Sequence, residues 1–191
     1  RIIARNDWLA PDGKKVCEET TEIIAYRAPN FAWLDYSVTI RASEGDVRFG
    51  DTKEGTFGVR VASSLEVKRG QGGQIVNAAG QRDRDAWGKR AEWCDYTGAV
   101  EGEIVGIAIF DHPSNLRHPT YWHVRDYGLF AANPFGVHDF VPGTPKGTGD
   151  YLLKHGERLT LRYRLCLHRG RTDEAHIAQH YQAFLHTPEI V

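Results

Sequence analysis

Leu159-Thr160-Leu161-Arg162-Tyr163-Arg164-Leu165-Cys166-Leu167-His168 decides the fold class of this chain. Leu159, Leu161, Tyr163, Leu165 and Leu167 occupy every second position, with Thr160, Arg162 and Arg164 between them. That is the period of an extended strand, whose successive side chains point to opposite faces. Outward from it the same signal recurs. Trp33 to Ile40 sets Leu34, Tyr36, Val38 and Ile40 against Asp35, Ser37 and Thr39, and Phe57, Val59 and Val61 share a face. Residues 103–110 are apolar on both faces, as in a strand covered on two sides. Pro11-Asp12-Gly13 joins strands expected over 2–9 and 16–26, because proline presets the first turn dihedral and glycine admits positive φ. Ser43-Glu44-Gly45-Asp46 and residues 141–149 read as further turns. Residues 68–85 read as a long connection broken by a short segment at 74–77, and strand-like composition resumes over 86–96.

The tail differs. From Asp173 to His186, Ile177, Ala178, Tyr181, Phe184 and Leu185 fall at helical spacing, with Thr172 or Asp173 to cap the start and Pro188 after the end. The expected fold is all-β: an antiparallel β-sandwich with one C-terminal α-helix packed on it, in a single domain spanning 1–191.

The chain has 191 residues, with 24 Lys and Arg against 25 Asp and Glu and a formal charge of −1. No global field points to nucleic acid or an anionic membrane. No apolar run is long enough to span a bilayer, and no basic-then-apolar leader opens the sequence. The expected setting is soluble: cytoplasmic or, after loss of a leader, periplasmic or secreted. Cys17, Cys94 and Cys166 are far apart and unpatterned, which suits neither a zinc cluster nor a disulfide framework. The chain contains no methionine and starts at Arg1, as a processed or truncated piece of a longer protein would.

Chemistry-bearing residues concentrate between Ile109 and Gly136. Prolines at 113, 119 and 134 forbid a regular helix there and punctuate any strand, so the stretch reads as a structured loop with short extended pieces. His112, His118 and His123 are candidates for an imidazole metal site, although no H-x-H or H-E-x-x-H pattern supports it. Alternatively His123 serves as acid or base beside Arg125 and Asp126, with His112 next to Asp111 and with Glu92 or Glu54 as a further carboxylate. The competing reading of these pairs is a salt-bridge network that pins a long loop. Trp87, Trp93, Tyr96, Tyr121, Trp122, Tyr127, Phe130 and Phe135 are interleaved with Asn115, Asn133, Arg117 and Arg125. Rings plus planar hydrogen-bonding groups are what a sugar needs, since its C–H faces stack and its hydroxyls want polar partners. An ordinary aromatic core competes with that reading.

The stretches 106–115, 117–120 and 122–136, together with 55–62, 87–96 and 167–170, resemble the bacterial PmoA-like family, also labelled methane oxygenase PmoA, over nearly the whole chain. The label implies an oxygenase subunit. The particulate methane monooxygenase subunit, however, is an integral membrane protein, and no segment here is of that kind. The resemblance also implies a β-supersandwich like those that handle carbohydrate, an association with sugar-processing proteins, and a longer parent of which this chain is the C-terminal part. An N-terminal portion with a paired-histidine and a tryptophan-rich stretch is then expected upstream.

The expected function is binding or transformation of a carbohydrate or other small molecule, with His123, Glu92 and Asp126 catalytic and Trp122, Arg125, Asn115, Asn133 and Arg117 on the substrate. The alternatives are a metal-dependent oxygenase built on His112, His118 and His123, and a non-catalytic carbohydrate-binding module. Neither nucleic acid nor a membrane span is an expected partner.

Overall fold

A computed structural model describes residues 1–186. Among the described residues twelve strands are present: β1 (Ile2–Leu9), β2 (Lys15–Ala28), β3 (Phe31–Arg41), β4 (Val47–Phe49), β5 (Phe57–Arg60), β6 (Gln74–Asn77), β7 (Trp93–Val100), β8 (Glu103–Asp111), β9 (Tyr121–Val124), β10 (Leu129–Asn133), β11 (Tyr151–Leu153) and β12 (Arg158–Arg169). They form an antiparallel seven-stranded sheet in the order β1-β2-β3-β12-β8-β7-β6, a three-stranded sheet β5-β10-β9 and a β4–β11 pair. Two α-helices, α1 (Val137–Phe140) and α2 (Ile177–Leu185), and three short 3-10 helices at Ser63–Leu65, Val67–Arg69 and Asp83–Ala86 complete the elements of the described residues. None is long and apolar enough to cross a membrane.

The alternating strand read first is the spine. β12 pairs with β3 on one side and β8 on the other, setting Tyr163 opposite both Tyr36 and Asp111, and Leu165 opposite Leu34 and Ile109. Its Leu159, Leu161, Tyr163 and Leu165 pack into the core shared with Trp122, Val124, Phe130 and Ala132 of the small sheet. Burying such side chains contributes roughly 1.5–3 kcal/mol each. Cys166, on the opposite face, packs with Ala108, Phe110 and Trp93 beneath α2. The sheet is thus covered on both sides where β8 and β7 run, and residues 103–110 carry apolar residues on both faces for that reason. Leu167 departs from its expected place in the core. It lies in a groove with Leu65 and Ile107 and remains 36% exposed.

The helix also departs in its start. Arg171 to His176 forms a separate turn, with Arg171 N donating to Glu174 Oε2 at 2.7 Å and Ile177 N to Thr172 O at 3.2 Å. His176, in the left-handed region at φ 50°, precedes the first helical residue and supplies no side-chain cap. Ile177, Tyr181 and Phe184 then face the sheet, and Phe110 meets the rings of Tyr181 at 5.7 Å and Phe184 at 6.0 Å. Pro188 lies outside the described residues.

The proline-rich stretch is more regular than expected, because its prolines stand outside the ladders. Pro119 precedes β9 and Pro134 follows β10, so neither removes a needed N–H. Between them β9 and β10 form a hairpin closed by Arg125 N to Leu129 O at 2.8 Å, with Gly128 at φ 88° supplying the positive dihedral of the turn. The connection at 141–149 is fixed by buried Asp51, whose carboxylate accepts from the backbone of His138, Gly147 and Gly149 at 2.9–3.0 Å. The three cysteines are free and buried. Burial, then the Asp95 charge, raises both the Cys94 thiol and that of Cys166, the latter to about 12.

Candidate functional site

The small sheet covers only part of the large one. β1, β2 and β3 extend beyond it, and a cleft of about 520 Å3 opens between their inner face and the segment leading into β5. One wall comes from alternate positions across neighbouring strands: Trp8, Glu19, Tyr36, Val38, Leu161 and Tyr163. The other includes Phe49, Thr52, Glu54, Phe57, Asn133 and Phe135. Phe57 links the walls, stacked on Tyr163 at 4.7 Å and tilted against Tyr36 at 4.8 Å.

Glu19 is the fixed polar group of this cleft. Its inward position on β2 would strand a carboxylate among apolar neighbours, a cost met by three donors: Thr21 Oγ1 at 2.7 Å, Asn6 Nδ2 at 3.0 Å and Trp8 Nε1 at 3.0 Å. Desolvation pushes its pKa up, and the hydrogen bonds from Thr21, Asn6 and Trp8 outweigh that and hold it below the usual carboxylate value. Trp8 is thereby oriented, with 40% of its surface exposed and its ring edge-on to Phe49 at 6.4 Å. Glu54 is exposed beside Lys53, their charged atoms 3.4 Å apart. No Lys, Arg or His lines the cleft. The arrangement offers ring faces and charged acceptors, so it suits a neutral ligand rich in hydroxyl donors or a cation.

The residues singled out from 109–136 lie elsewhere, apart from Asn133. Asn133 lines the cleft with its amide already engaged: Nδ2 donates to Thr52 O at 2.8 Å, and Oδ1 accepts from Phe135 N and Gly136 N at 2.8 and 3.1 Å. Asp111, fully buried, takes Asn115 Nδ2 at 2.7 Å on one oxygen and Thr120 N at 2.9 Å on the other, which also lies 2.8 Å from His118 Nδ1. Asn115 further bonds both backbone groups of Arg162 at 2.7 Å. Arg117 is spent on the carbonyls of Pro134, Gly149 and Asp150 at 2.6–3.0 Å. His112 Nδ1 contacts Ser114 Oγ at 2.7 Å. This is the pinned-loop arrangement. Among the described residues no three His, Cys, Asp or Glu side chains gather as a metal site.

Trp122, expected to stack on a sugar, is wholly buried with its indole N–H on Ala91 O at 2.9 Å. It sits on the inward side of β9 and presents no face to solvent. His123 is buried as well, its Nδ1 2.7 Å from Lys53 O and its ring near Trp87 and Phe140. Glu92 lies toward α2, where its charge and that of Asp111 add to the burial that raises the Tyr181 phenol to about 12. Arg125 and Asp126 do come together, in a second pocket with Arg84, Trp87 and Val124.

Trp8, Glu19, Tyr36 and Phe57 are the cleft residues that the sequence reading passed over as ligand contacts. A signal for Glu19 exists: it shares a β2 face with Cys17, Thr21 and Ile23, so a charge falls on an inward-facing row. Away from the cleft, on the helix side of the large sheet, His168 Nε2 is 3.0 Å from Asp95 Oδ1 with both side chains fully buried.

No curated protein and no solved structure matches the chain. A model of a family of unknown function, DUF6807, matches residues 1–182, and the chain belongs to that family.

Proposed function

We propose that the protein binds a neutral carbohydrate in the cleft beneath β5. The observation that carries this reading is Glu19: an ionised carboxylate held by three donors on a cleft wall that it shares with Trp8, Tyr36, Val38, Leu161 and Tyr163. A sugar presents hydroxyl donors to such a carboxylate and apolar C–H faces to rings such as Trp8. The cleft volume lies in the range of small-molecule sites. This reading assigns stacking to Trp8 in place of Trp122, and the carboxylate role to Glu19 and Glu54 in place of Glu92. Saturation of Glu19 with donors favours binding over proton transfer, because a carboxylate held ionised is a poor general acid. The oxygenase alternative has less support from the geometry, since His112, His118 and His123 are committed to separate contacts.

The test is calorimetric titration with a panel of neutral mono- and oligosaccharides, on the wild type and on Trp8→Ala. At least one sugar should bind the wild type, and the substitution should weaken it tenfold or more. Absence of binding across the panel at millimolar sugar, or equal affinity in the variant, overturns the reading.

A further inference from the structure

At the other end of the small sheet lies a pocket of opposite character. The cleft is reached at the Phe57 and Asn133 ends of β5 and β10. The pocket lies at the Arg60 and Leu129 ends, beside the β9–β10 turn. It has a volume of about 360 Å3 and is lined by Arg84, Trp87, Val124, Arg125 and Asp126.

Arg125 is its centre. Its guanidinium lies 5.5 Å from the ring centre of Trp87 and 5.5 Å from that of Tyr127. Ring contacts engage the π-faces of a guanidinium and leave its N–H edge as the hydrogen-bonding surface. Among the described residues no carboxylate or carbonyl accepts a hydrogen bond from that edge. The nearby acids are committed to other cations: Asp126 to Arg84 at 2.9 Å, and Glu66 to Arg69 at 3.0 Å and Lys68 at 3.5 Å. Arg60 and Lys68 also stand over the Tyr127 ring, at 5.8 and 5.6 Å. Five cations therefore surround two carboxylates, and the half-buried Arg125 has no counter-charge of its own.

We propose that this pocket binds the carboxylate of an acidic saccharide, taken by the N–H edge of Arg125 in a two-pronged hydrogen bond. A planar fork matches a carboxylate, and the surrounding cations exclude a positively charged ligand. The choice of a saccharide as carrier of the carboxylate rests on the function proposed above, whereas the anion selectivity does not. The site is distinct from the cleft, which holds carboxylates and no cation.

The experiment is titration of the wild type with glucuronate, glucose and inorganic sulfate, followed by calorimetry and by tryptophan fluorescence, since Trp87 flanks the site. Glucuronate should bind at least tenfold more tightly than glucose, with an affinity that falls as sodium chloride is added. Arg125→Gln should abolish the difference between the two sugars. Circular dichroism checks that the variant folds, and if it does not, Arg125→Lys, which keeps the charge without the fork, should weaken glucuronate at least threefold. Equal binding of the two sugars by the wild type, no binding of glucuronate, sulfate binding as tightly as glucuronate, or an unchanged preference in the variants overturns the proposal. Neutral-sugar binding in the cleft is read separately through Trp8→Ala, so failure of one site is not failure of the other.

Discussion

Asp111 and Glu19 are both inward-facing carboxylates held by several donors, and they do opposite things. Asp111 receives donors on both oxygens from within one stretch of 109–136 and is sealed from solvent. Glu19 takes its donors from β1 and β2 and stands at the wall of an open cleft. A dense polar stretch satisfies itself and becomes a fastener. A carboxylate placed alone on an apolar row leaves room for something else to complete the site.

The largest effect that tests this contrast is on stability. Asp111→Ala leaves Asn115, His118 and the Thr120 N–H without their shared acceptor, and should cost about 3–5 kcal/mol in urea unfolding. The folded fraction should bind sugar as before; a stable variant that loses sugar binding would break the contrast. Next comes Trp8→Ala, expected to lose at least tenfold in affinity, about 1.4 kcal/mol, while stability falls by about 1 kcal/mol because the ring is 40% exposed and its N–H is one of the three donors to Glu19.

Smaller is the pH response of Glu19. Its folded pKa is depressed, so its contribution to stability is present above the ordinary value of 4.5 and is lost as pH falls through the lower folded value. Sugar binding should weaken over the same acid window, and Glu19→Gln should flatten that response. A wild-type acid limb identical to the variant's would remove Glu19 from the site. The smallest effect is alkaline. Tyr181 is raised to about 12, so its contribution is present below the ordinary value of 10.0 and lost as pH climbs toward 12. Tyr181→Phe should reduce that alkaline loss, and ultraviolet titration of tyrosinate against unfolding checks it.

The strands were legible because one-sided burial writes a two-residue period, as in β3 and β12, and two-sided burial erases it, as in β8. The β9–β10 hairpin was hidden because its prolines, which look like breaks, mark the ends of its ladders. The start of α2 was obscured by the turn through His176, whose left-handed backbone has no strong sequence signature. The site was less legible than the fold. Histidines and arginines crowded into 109–136 draw the eye, yet neighbours in sequence tend to bond one another. Trp8, Glu19, Tyr36 and Phe57 come from four strands, and only register brings them together. Arg125 and Asp126 were recognisable as a local pair, but the tryptophan beside them is Trp87 and not Trp122, because strand alternation turns Trp122 inward.

The position of β12 at the middle of the large sheet has a consequence in time. Thr39 Oγ1 and Thr160 Oγ1 meet at 2.9 Å across β3 and β12, although 121 residues separate them in the chain. Closing so long a loop precedes any reward from the contacts it makes, which slows folding. During synthesis the β1-β2-β3 meander is complete long before β12 leaves the ribosome, so β3 waits as an open edge with the cleft's future wall exposed. The cleft wall of the finished protein is thus also the surface that its nascent chain must keep from sticking.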